Sequence, residues 1–210
     1  MKKVLVTGGS RGIGKAITEK FLEHGYEVTA PTRLELDLLD SESIEKYVQA
    51  HKEDGFDIIV NNAGINDIHE IENITDEEIE RMIATNLVAP IKLLRGFTGS
   101  MKQKKYGRIV NIGSIWAVVS KGGRCVYSAT KNGIHGVTNT LAVELAADNI
   151  LVNTVCPGFT MTELTVKNNT PEEIAQISAN IPMQRMAKPE EIAGAMQRSF
   201  YVGENLTQED

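Results

Sequence analysis

The chain has 210 residues, a net charge of −6 and two cysteines. This length predicts one domain, residues 1–210, with a sizeable core. The acidic balance argues against nucleic acid or an anionic membrane as partner, and no apolar run approaches the 18 residues of a membrane span. Neither the cysteines nor the histidines show metal-ligand spacing, so we expect a cytoplasmic protein without a metal site.

The N-terminal segment predicts a strand, a glycine turn and a helix in succession. Residues 4–6 (Val-Leu-Val) are a short apolar run, and residues 7–14 (Thr-Gly-Gly-Ser-Arg-Gly-Ile-Gly) follow directly. Gly8, Gly12 and Gly14 permit a tight turn and a close approach of the backbone to a ligand. The start of the following helix would attract a pyrophosphate. A glycine-rich loop without a ligand is the alternative.

Strand and helix patterns then alternate along the chain. Such alternation predicts an α/β fold, a Rossmann-like doubly wound parallel sheet covered on both faces. Capping-box patterns at Thr75 and Thr170, and Pro189 at a first helical position, mark three helix starts. The remaining strands are expected at residues 27–30, 57–60, 108–112 and 150–155.

Tyr127 and Lys131 are four residues apart, so on a helix they project from one face. A phenol normally titrates near ~10, and a fixed cation beside it favours the phenolate. We therefore expect Lys131 to lower the pKa of Tyr127 and to make it a usable acid or base near neutral pH. Ser114 lies upstream, just after an apolar strand.

Six motifs occur in one order: residues 7–14, Asn61-Asn62-Ala63-Gly64, Asn86, Ser114, Tyr127 with Lys131, and Pro157-Gly158. With these motifs the chain resembles the short-chain dehydrogenase/reductase family, from Met1 to about Ala193, and most closely its 3-oxoacyl-[acyl-carrier-protein] reductases. The resemblance implies catalytic roles for four residues. Tyr127 would be the general acid or base, Lys131 would assist it and hold the nicotinamide ribose, and Ser114 would bind the substrate oxygen. Asn86 would shape its helix so that a water links Lys131 to solvent.

The resemblance also implies a cofactor site. Arg33 and Arg11, with no acid at the end of the second strand (placed near Thr32), favour a 2′-phosphate and hence NADP(H) over NAD(H). The alternative for both arginines is a solvated surface role. Asp37 and Leu38 would bracket the adenine. The cofactor contacts expected are Gly8, Ser10, Arg11, Gly12, Ile13, Gly14, Arg33, Asp37, Leu38, Asn62, Ala63, Gly64, Ile112, Tyr127, Lys131, Pro157, Gly158 and Thr160.

Two departures from the family pattern are expected. Residues 33–37 are too few for a helix and a further parallel strand, which needs about a dozen residues, so one edge of the sheet should be reduced. After residue 193 the usual C-terminal strand is not evident. Residues 160–188 are interpreted as a substrate lid.

These features favour an NADP(H)-dependent oxidoreductase that moves a hydride between nicotinamide and a small carbonyl or secondary alcohol, similar to 3-oxoacyl-[acyl-carrier-protein] reductases. A reductase of sugars or nucleotide sugars is one alternative, and a cofactor-sensing protein without catalysis is another. The family resemblance implies a homodimer, with a tetramer as the larger alternative.

Overall fold

The computed structural model describes residues 1–198, which form a single parallel sheet with helices on both faces. Its five strands lie in the order β2-β1-β3-β4-β5, and every neighbouring pair is parallel. The fold class expected from the alternating pattern is confirmed. The strands are β1 (Lys3–Val6), β2 (Glu27–Thr29), β3 (Ile58–Asn61), β4 (Gly107–Ile112) and β5 (Ile150–Val155).

Eight α-helices connect or follow these strands in the described part of the chain. Both capping boxes form as expected, with Thr75 and Thr170 each accepting from the backbone N–H three residues on. The helices are α1 (Gly12–Glu23), α2 (Ser41–His51), α3 (Asp76–Ile83), α4 (Ala89–Lys104), α5 (Cys125–Leu145), α6 (Glu163–Asn168), α7 (Pro171–Ala179) and α8 (Pro189–Arg198).

The core is divided by the sheet into two layers, because successive side chains of a strand point to opposite faces. Val4 and Val6 of β1 pack on one face with α1 and α8, in a cluster that includes Phe21 and Met196. Leu5 faces the other layer, where α2, α4 and α5 cover the sheet. Val4, Leu5 and Val6 are all fully buried, so β1 is apolar after Lys3, as parallel strands covered on both faces are.

The expected reduction of the sheet edge is observed. Strand β2 is at one edge of the sheet, and residues 30–40 connect it to α2 without another strand. The strand ends at Thr29, not near Thr32 as expected from the sequence. Pro31 explains the difference, since it has no N–H to donate to a ladder. The connection turns instead onto α2, and its Leu36 enters the core.

The segment after Pro157 folds over the carboxyl edge of the sheet. Helices α6 and α7 lie in it, and Thr160 returns to pair with Ala187 in an isolated parallel bridge. The predicted C-terminal departure concerns residues after 198, which lie outside the described residues. Among residues 1–198, none of the helices combines the length and the apolar character needed to cross a membrane.

Helix α4 packs closely on α2 through Gly96. A Cβ atom added there would lie 2.4 Å from Cγ1 of Val48 on α2. We expect Gly96→Ala to lower the free energy of unfolding by about 1–3 kcal/mol, because the two helices must separate. Gly99 is the matched control on the same helix, with no atom within 4 Å of its added Cβ. Gly99→Ala should raise the unfolding free energy by about 0.5–1 kcal/mol, since alanine favours helix. Equal effects in urea unfolding would contradict the packing argument.

Candidate active site

Two loops meet where the sheet order reverses, between β1 and β3. The hydroxyl of Thr7, after β1, accepts hydrogen bonds from the N–H groups of Asn62 and Ala63, each at 3.1 Å. The Asn62 amide donates back to the carbonyl oxygens of Thr7 and Gly8 at 3.0 and 3.1 Å. The two loops are thus joined at the carboxyl ends of the strands, which is where open α/β sheets bind ligands.

The glycine turn has the shape of a nucleotide cradle. Gly8 and Gly12 have φ values of 67° and 53°, which favour glycine. A Cβ on Gly14 would lie 2.1 Å from the Gly8 carbonyl oxygen, so only glycine fits there. Helix α1 begins with no side-chain cap and no acidic residue in its first turn. Its N-terminal N–H groups therefore remain available to a phosphate, and the residues present fit a dinucleotide.

Asn86 lies in a π-helical turn, Ala84–Val88, between α3 and α4. Its amide group is buried and exchanges two hydrogen bonds of 2.8 Å with the backbone of Ile65. The amide also donates to the Thr130 hydroxyl at 3.2 Å, so it joins the loop after β3 to helix α5. The π turn is a finding that the sequence did not predict, and such turns are frequent at functional sites.

Lys131 is buried on α5, with 5% of its surface exposed. Its ammonium donates to the Ile112 carbonyl oxygen at 2.6 Å. Burial lowers the pKa of Lys131 to about 8, because the charged form loses its hydration. The same nitrogen lies 5.7 Å from the centre of the Tyr127 ring. The predicted pair therefore does share one face of a helix.

The pKa of Tyr127 is raised above its ordinary value by burial, which is opposite to the direction expected from the sequence. Hydrogen bonding with Ser114 and the charge of Arg124 act the other way but do not outweigh burial. Lys131 is not among the groups that set this pKa, since its ammonium is turned toward Ile112. The phenol is consequently protonated at neutral pH and can act as a donor.

A cleft of about 1020 Å³ brings nearly all the predicted residues together. Of the four predicted catalytic residues, Ser114, Tyr127 and Lys131 line it, whereas Asn86 is buried behind them. Of the predicted cofactor contacts, only Gly14 is outside the lining, because it lies beneath Gly8. The others line the cleft, namely Gly8, Ser10, Arg11, Gly12, Ile13, Arg33, Asp37, Leu38, Asn62, Ala63, Gly64, Ile112, Tyr127, Lys131, Pro157, Gly158 and Thr160.

One of the two arginines expected to bind a 2′-phosphate already has an acidic partner in the cleft. Arg33 is not a free cation, since its Nε lies 3.2 Å from the Asp37 carboxylate. The arginine side chain is 75% exposed, so this ion pair contributes little, about 0–1 kcal/mol. Arg11 is exposed beside the glycine turn and lines the same cleft. An arriving phosphate can therefore recruit both guanidinium groups at small cost.

Sequence reasoning missed several residues of the cleft. Arg124 is the most important, and Arg81 with Asp67 forms an ion pair of 2.9 Å on the same wall. A single arginine before a helix carries no recognisable pattern. The one available signal for Arg124 is the preceding Gly122-Gly123, which indicates a turn just before α5.

Comparisons with known proteins agree with this geometry. The family model described as "short chain dehydrogenase" matches residues 31–173, more than half of the chain. A 3-oxoacyl-[acyl-carrier-protein] reductase of Vibrio cholerae is 34% identical over 98% of this chain and 94% of its own length.

Two solved structures are similar in fold. One is described as an NAD(P)-dependent gluconate 5-dehydrogenase from Beutenbergia cavernae with bound NADP, with a TM-score of 0.87 and 29% identity over 93% of this chain and 88% of its own. The other is an aldohexose dehydrogenase of Thermoplasma acidophilum, with a TM-score of 0.88 and 27% identity over 95% and 86% of the two chains.

The buried ammonium of Lys131 predicts a pH dependence of stability. The folded chain releases this proton near pH 8, whereas the unfolded chain holds it until about 10.5. The unfolded state therefore binds more protons in between, and stability rises with pH across that window. We expect wild type to gain about 2 kcal/mol relative to Lys131→Met between pH 7 and 9.5. Urea unfolding at each pH measures this.

Lys15, on α1, is the control, because its side chain is 57% exposed. The Lys15→Met and wild-type curves should run parallel. If the Lys131→Met and wild-type curves also ran parallel, the ammonium would not be desolvated in solution.

Proposed function

This chain belongs to the short-chain dehydrogenase family and is an oxidoreductase that acts on carbonyl or CH–OH groups, and from this premise we propose that it is an NADP(H)-dependent reductase with Tyr127 as general acid. One observation carries the proposal. Ser114, Tyr127 and Lys131 meet on one wall of a cleft whose other end is the glycine turn. The similarity to a 3-oxoacyl-[acyl-carrier-protein] reductase supports a 3-oxoacyl compound as the first substrate class to test.

The proposed chemistry follows from the positions of the side chains. When bound, the nicotinamide would supply or accept the hydride. Ser114, fixed at the end of β4, would donate a hydrogen bond to the substrate oxygen and stabilise the charge that develops there. Tyr127 would give its hydroxyl proton to that oxygen. Its raised pKa favours the protonated form, which suits the direction of carbonyl reduction.

Arg124 and Lys131 would then stabilise the phenolate that remains. The charge of Arg124 already lowers the pKa of Tyr127 in part. Lys131, with a pKa of about 8, can return a proton near neutral pH. Asn86 would hold the loop after β3 against α5, since it bonds both, and so keep the two sides of the cleft in register.

A sugar or sugar-acid reductase is the second candidate. It is favoured by the similarity to solved gluconate and aldohexose dehydrogenases at TM-scores of 0.87 and 0.88. The two candidates share the proton donor and differ in the substrate, which would contact residues 160–188 if they act as a lid.

A homodimer remains a prediction. Sedimentation that shows only a species with the mass of one chain would contradict it.

Removal of the phenol tests the catalytic assignment. We expect Tyr127→Phe to lower kcat by about 1000-fold or more, since proton transfer by a positioned side chain contributes roughly 100- to 10000-fold. NADPH affinity should stay within about threefold, because the ring is retained. Absorbance at the nicotinamide band, with an acetoacetyl thioester and a 5-keto sugar acid as substrates, measures both candidate functions.

Tyr106 provides the control, since its hydroxyl accepts from Lys2 at 2.7 Å and it does not line the cleft. Tyr106→Phe should leave kcat unchanged. A Tyr127→Phe variant with wild-type kcat would remove Tyr127 from the mechanism.

Cofactor preference tests the roles of Arg11 and Arg33. We expect NADPH to bind at least about tenfold more tightly than NADH, since a hydrogen bond to a charged group is worth about 1.5–3 kcal/mol. Arg33→Gln should weaken NADPH and leave NADH nearly unchanged, as measured by fluorescence titration. Arg95 is the control, because it is exposed, pairs with Glu45 and does not line the cleft. Equal affinities for the two cofactors would disprove the 2′-phosphate site.

A further inference from the structure

Arg124 is a half-buried cation that forms no ion pair with any acidic residue in the described part of the chain. Its guanidinium carbon lies 6.0 Å from the centre of the Trp116 ring, on the cleft wall that also holds Tyr127. The Nε atom is fully buried and has no hydrogen-bond partner. Within residues 1–198, no carboxylate lies within 4.0 Å of its guanidinium nitrogens, and the Trp116 ring lies within cation–π range of the guanidinium.

Several other arginines in the described part of the chain have acidic or carbonyl partners. Arg33, Arg81 and Arg185 each form an ion pair with an acidic residue, at 3.2, 2.9 and 2.7 Å. Arg108 is buried, but its guanidinium donates to the Gly107 and Asn149 carbonyl oxygens. Burial lowers the pKa of Arg124, which reflects the free energy that its unpaired charge costs the fold. A cost of this kind is typical of a functional site.

The backbone fixes where this charge lies. Gly123 has a φ of 74°, and a Cβ there would lie 3.1 Å from Cγ2 of Ile68, so the turn packs on the loop after β3. Arg124 is the N-cap residue of α5, and its carbonyl oxygen accepts from Ser128 at 2.8 Å. Tyr127 follows three residues later, so the guanidinium and the phenol are on one helix face. The positive end of the α5 dipole adds to the field at this point.

The acidic side chains of the cleft do not neutralise Arg124. Three acidic residues line the cleft: Asp37 is held by Arg33, Asp67 is held by Arg81, and the exposed Glu163 on α6 forms no ion pair with Arg124. Both ion pairs are formed within the cleft wall itself, so the field of Arg124 next to the reactive phenol remains uncompensated. A ligand group that carries negative charge would gain from this field, and a neutral group would not.

We infer that Arg124 binds an anionic oxygen-bearing group of the substrate, a carboxylate or a phosphate, attached a short distance from the carbonyl that Ser114 and Tyr127 engage. The guanidinium fork is suited to two parallel hydrogen bonds with such a group. The inference rests on the proposed function and makes it narrower, because it selects charged ketones over neutral ones of the same size.

Equilibrium binding tests the anion site without turnover. Trp116 is the single tryptophan of the chain and lies beside Arg124, so its fluorescence reports on this position. Malonate and glycerol 3-phosphate are the charged probes, with malonamide and glycerol as their neutral counterparts, all at one ionic strength. We expect one charged probe to bind, its neutral counterpart not to bind, and Arg124→Gln to raise the dissociation constant about 30- to 100-fold.

Two further variants separate charge from shape. Arg124→Lys keeps the charge but loses the fork, so it should give an intermediate affinity. Arg95→Gln removes an exposed arginine outside the cleft and should leave the affinity within about twofold. Calorimetry repeats the titration, because loss of the stacked guanidinium itself changes the Trp116 signal. An anion affinity that is equal in wild type and Arg124→Gln would overturn the inference.

Turnover measurements then identify which anionic group of the substrate, a carboxylate or a phosphate, Arg124 binds. Acetoacetate is compared with methyl acetoacetate, and dihydroxyacetone phosphate with dihydroxyacetone. We expect one charged ketone to exceed its neutral partner at least 30-fold in kcat/KM. Because Arg124 also acts on Tyr127, Arg124→Gln is expected to slow both ketones, but it should lower kcat/KM for the charged ketone at least about 30-fold more than for its neutral partner, with the excess in KM. The pair that shows the preference tells carboxylate from phosphate, and an equal loss on charged and neutral ketones would overturn the inference.

The two proposals fail in different ways. If the reductase function is wrong, no ketone is turned over, but anion binding still depends on Arg124. If the anion site is wrong, neutral ketones are reduced as well as charged ones, and the affinity for malonate or glycerol 3-phosphate does not respond to Arg124→Gln.

Discussion

The carboxyl edge of the sheet depends on the hydrogen bonds between the loops after β1 and β3. Thr7 and Asn62 bond each other's backbones across the point where the strand order reverses. Because Gly14 lies directly under the Gly8 carbonyl, the first helix starts at a fixed distance from this pair of loops. The cleft therefore has a rigid floor, and the side chains of β4 and α5 are positioned relative to it.

Above this floor lie two cationic side chains that are removed from water without an ion-pair partner among the described residues. Lys131 is almost fully buried, and Arg124 is half-buried with no acidic partner in the described chain. Neither stabilises the fold, since each loses hydration and gains little in return. The apolar layers on both faces of the sheet supply the stability that permits this arrangement. Two positive charges near one phenol are then available to a negatively charged reaction partner.

The sequence predicted the strands well for a simple reason. Apolar, β-branched runs such as residues 4–6 and 58–60 are buried on both faces, and strands of this kind can be recognised from their continuous apolar sequence. Local capping patterns at Thr75 and Thr170 were equally readable, because the partners are three residues apart. Most motif residues came together because they follow a strand or lie on one face of α5, whereas Asn86 is held beside them from the turn between α3 and α4.

The details that sequence did not predict depend on three-dimensional placement. Burial of the phenol raises the pKa of Tyr127, and the Lys131 ammonium, which is turned toward the Ile112 carbonyl oxygen, does not offset this effect. Spacing along the chain contains neither piece of information. Arg124 lacks an acidic partner among residues 1–198 because the fold brings no carboxylate close to it, and no local sequence pattern encodes such an absence. The π turn contains Asn86, whose amide bonds both Ile65 and Thr130, and only the folded chain brings these two residues near each other.

The shortened connection after β2 has a consequence for solubility. It leaves β2 as one of the two outer strands, with a row of backbone groups that no further strand among residues 1–198 covers. Such edges can recruit strands from other molecules and start aggregation. Here the strand is only three residues long, carries the exposed Glu27 and is followed by Pro31. At this edge, the brevity, charge and proline of the segment disfavour the edge-to-edge association that a longer apolar strand would invite.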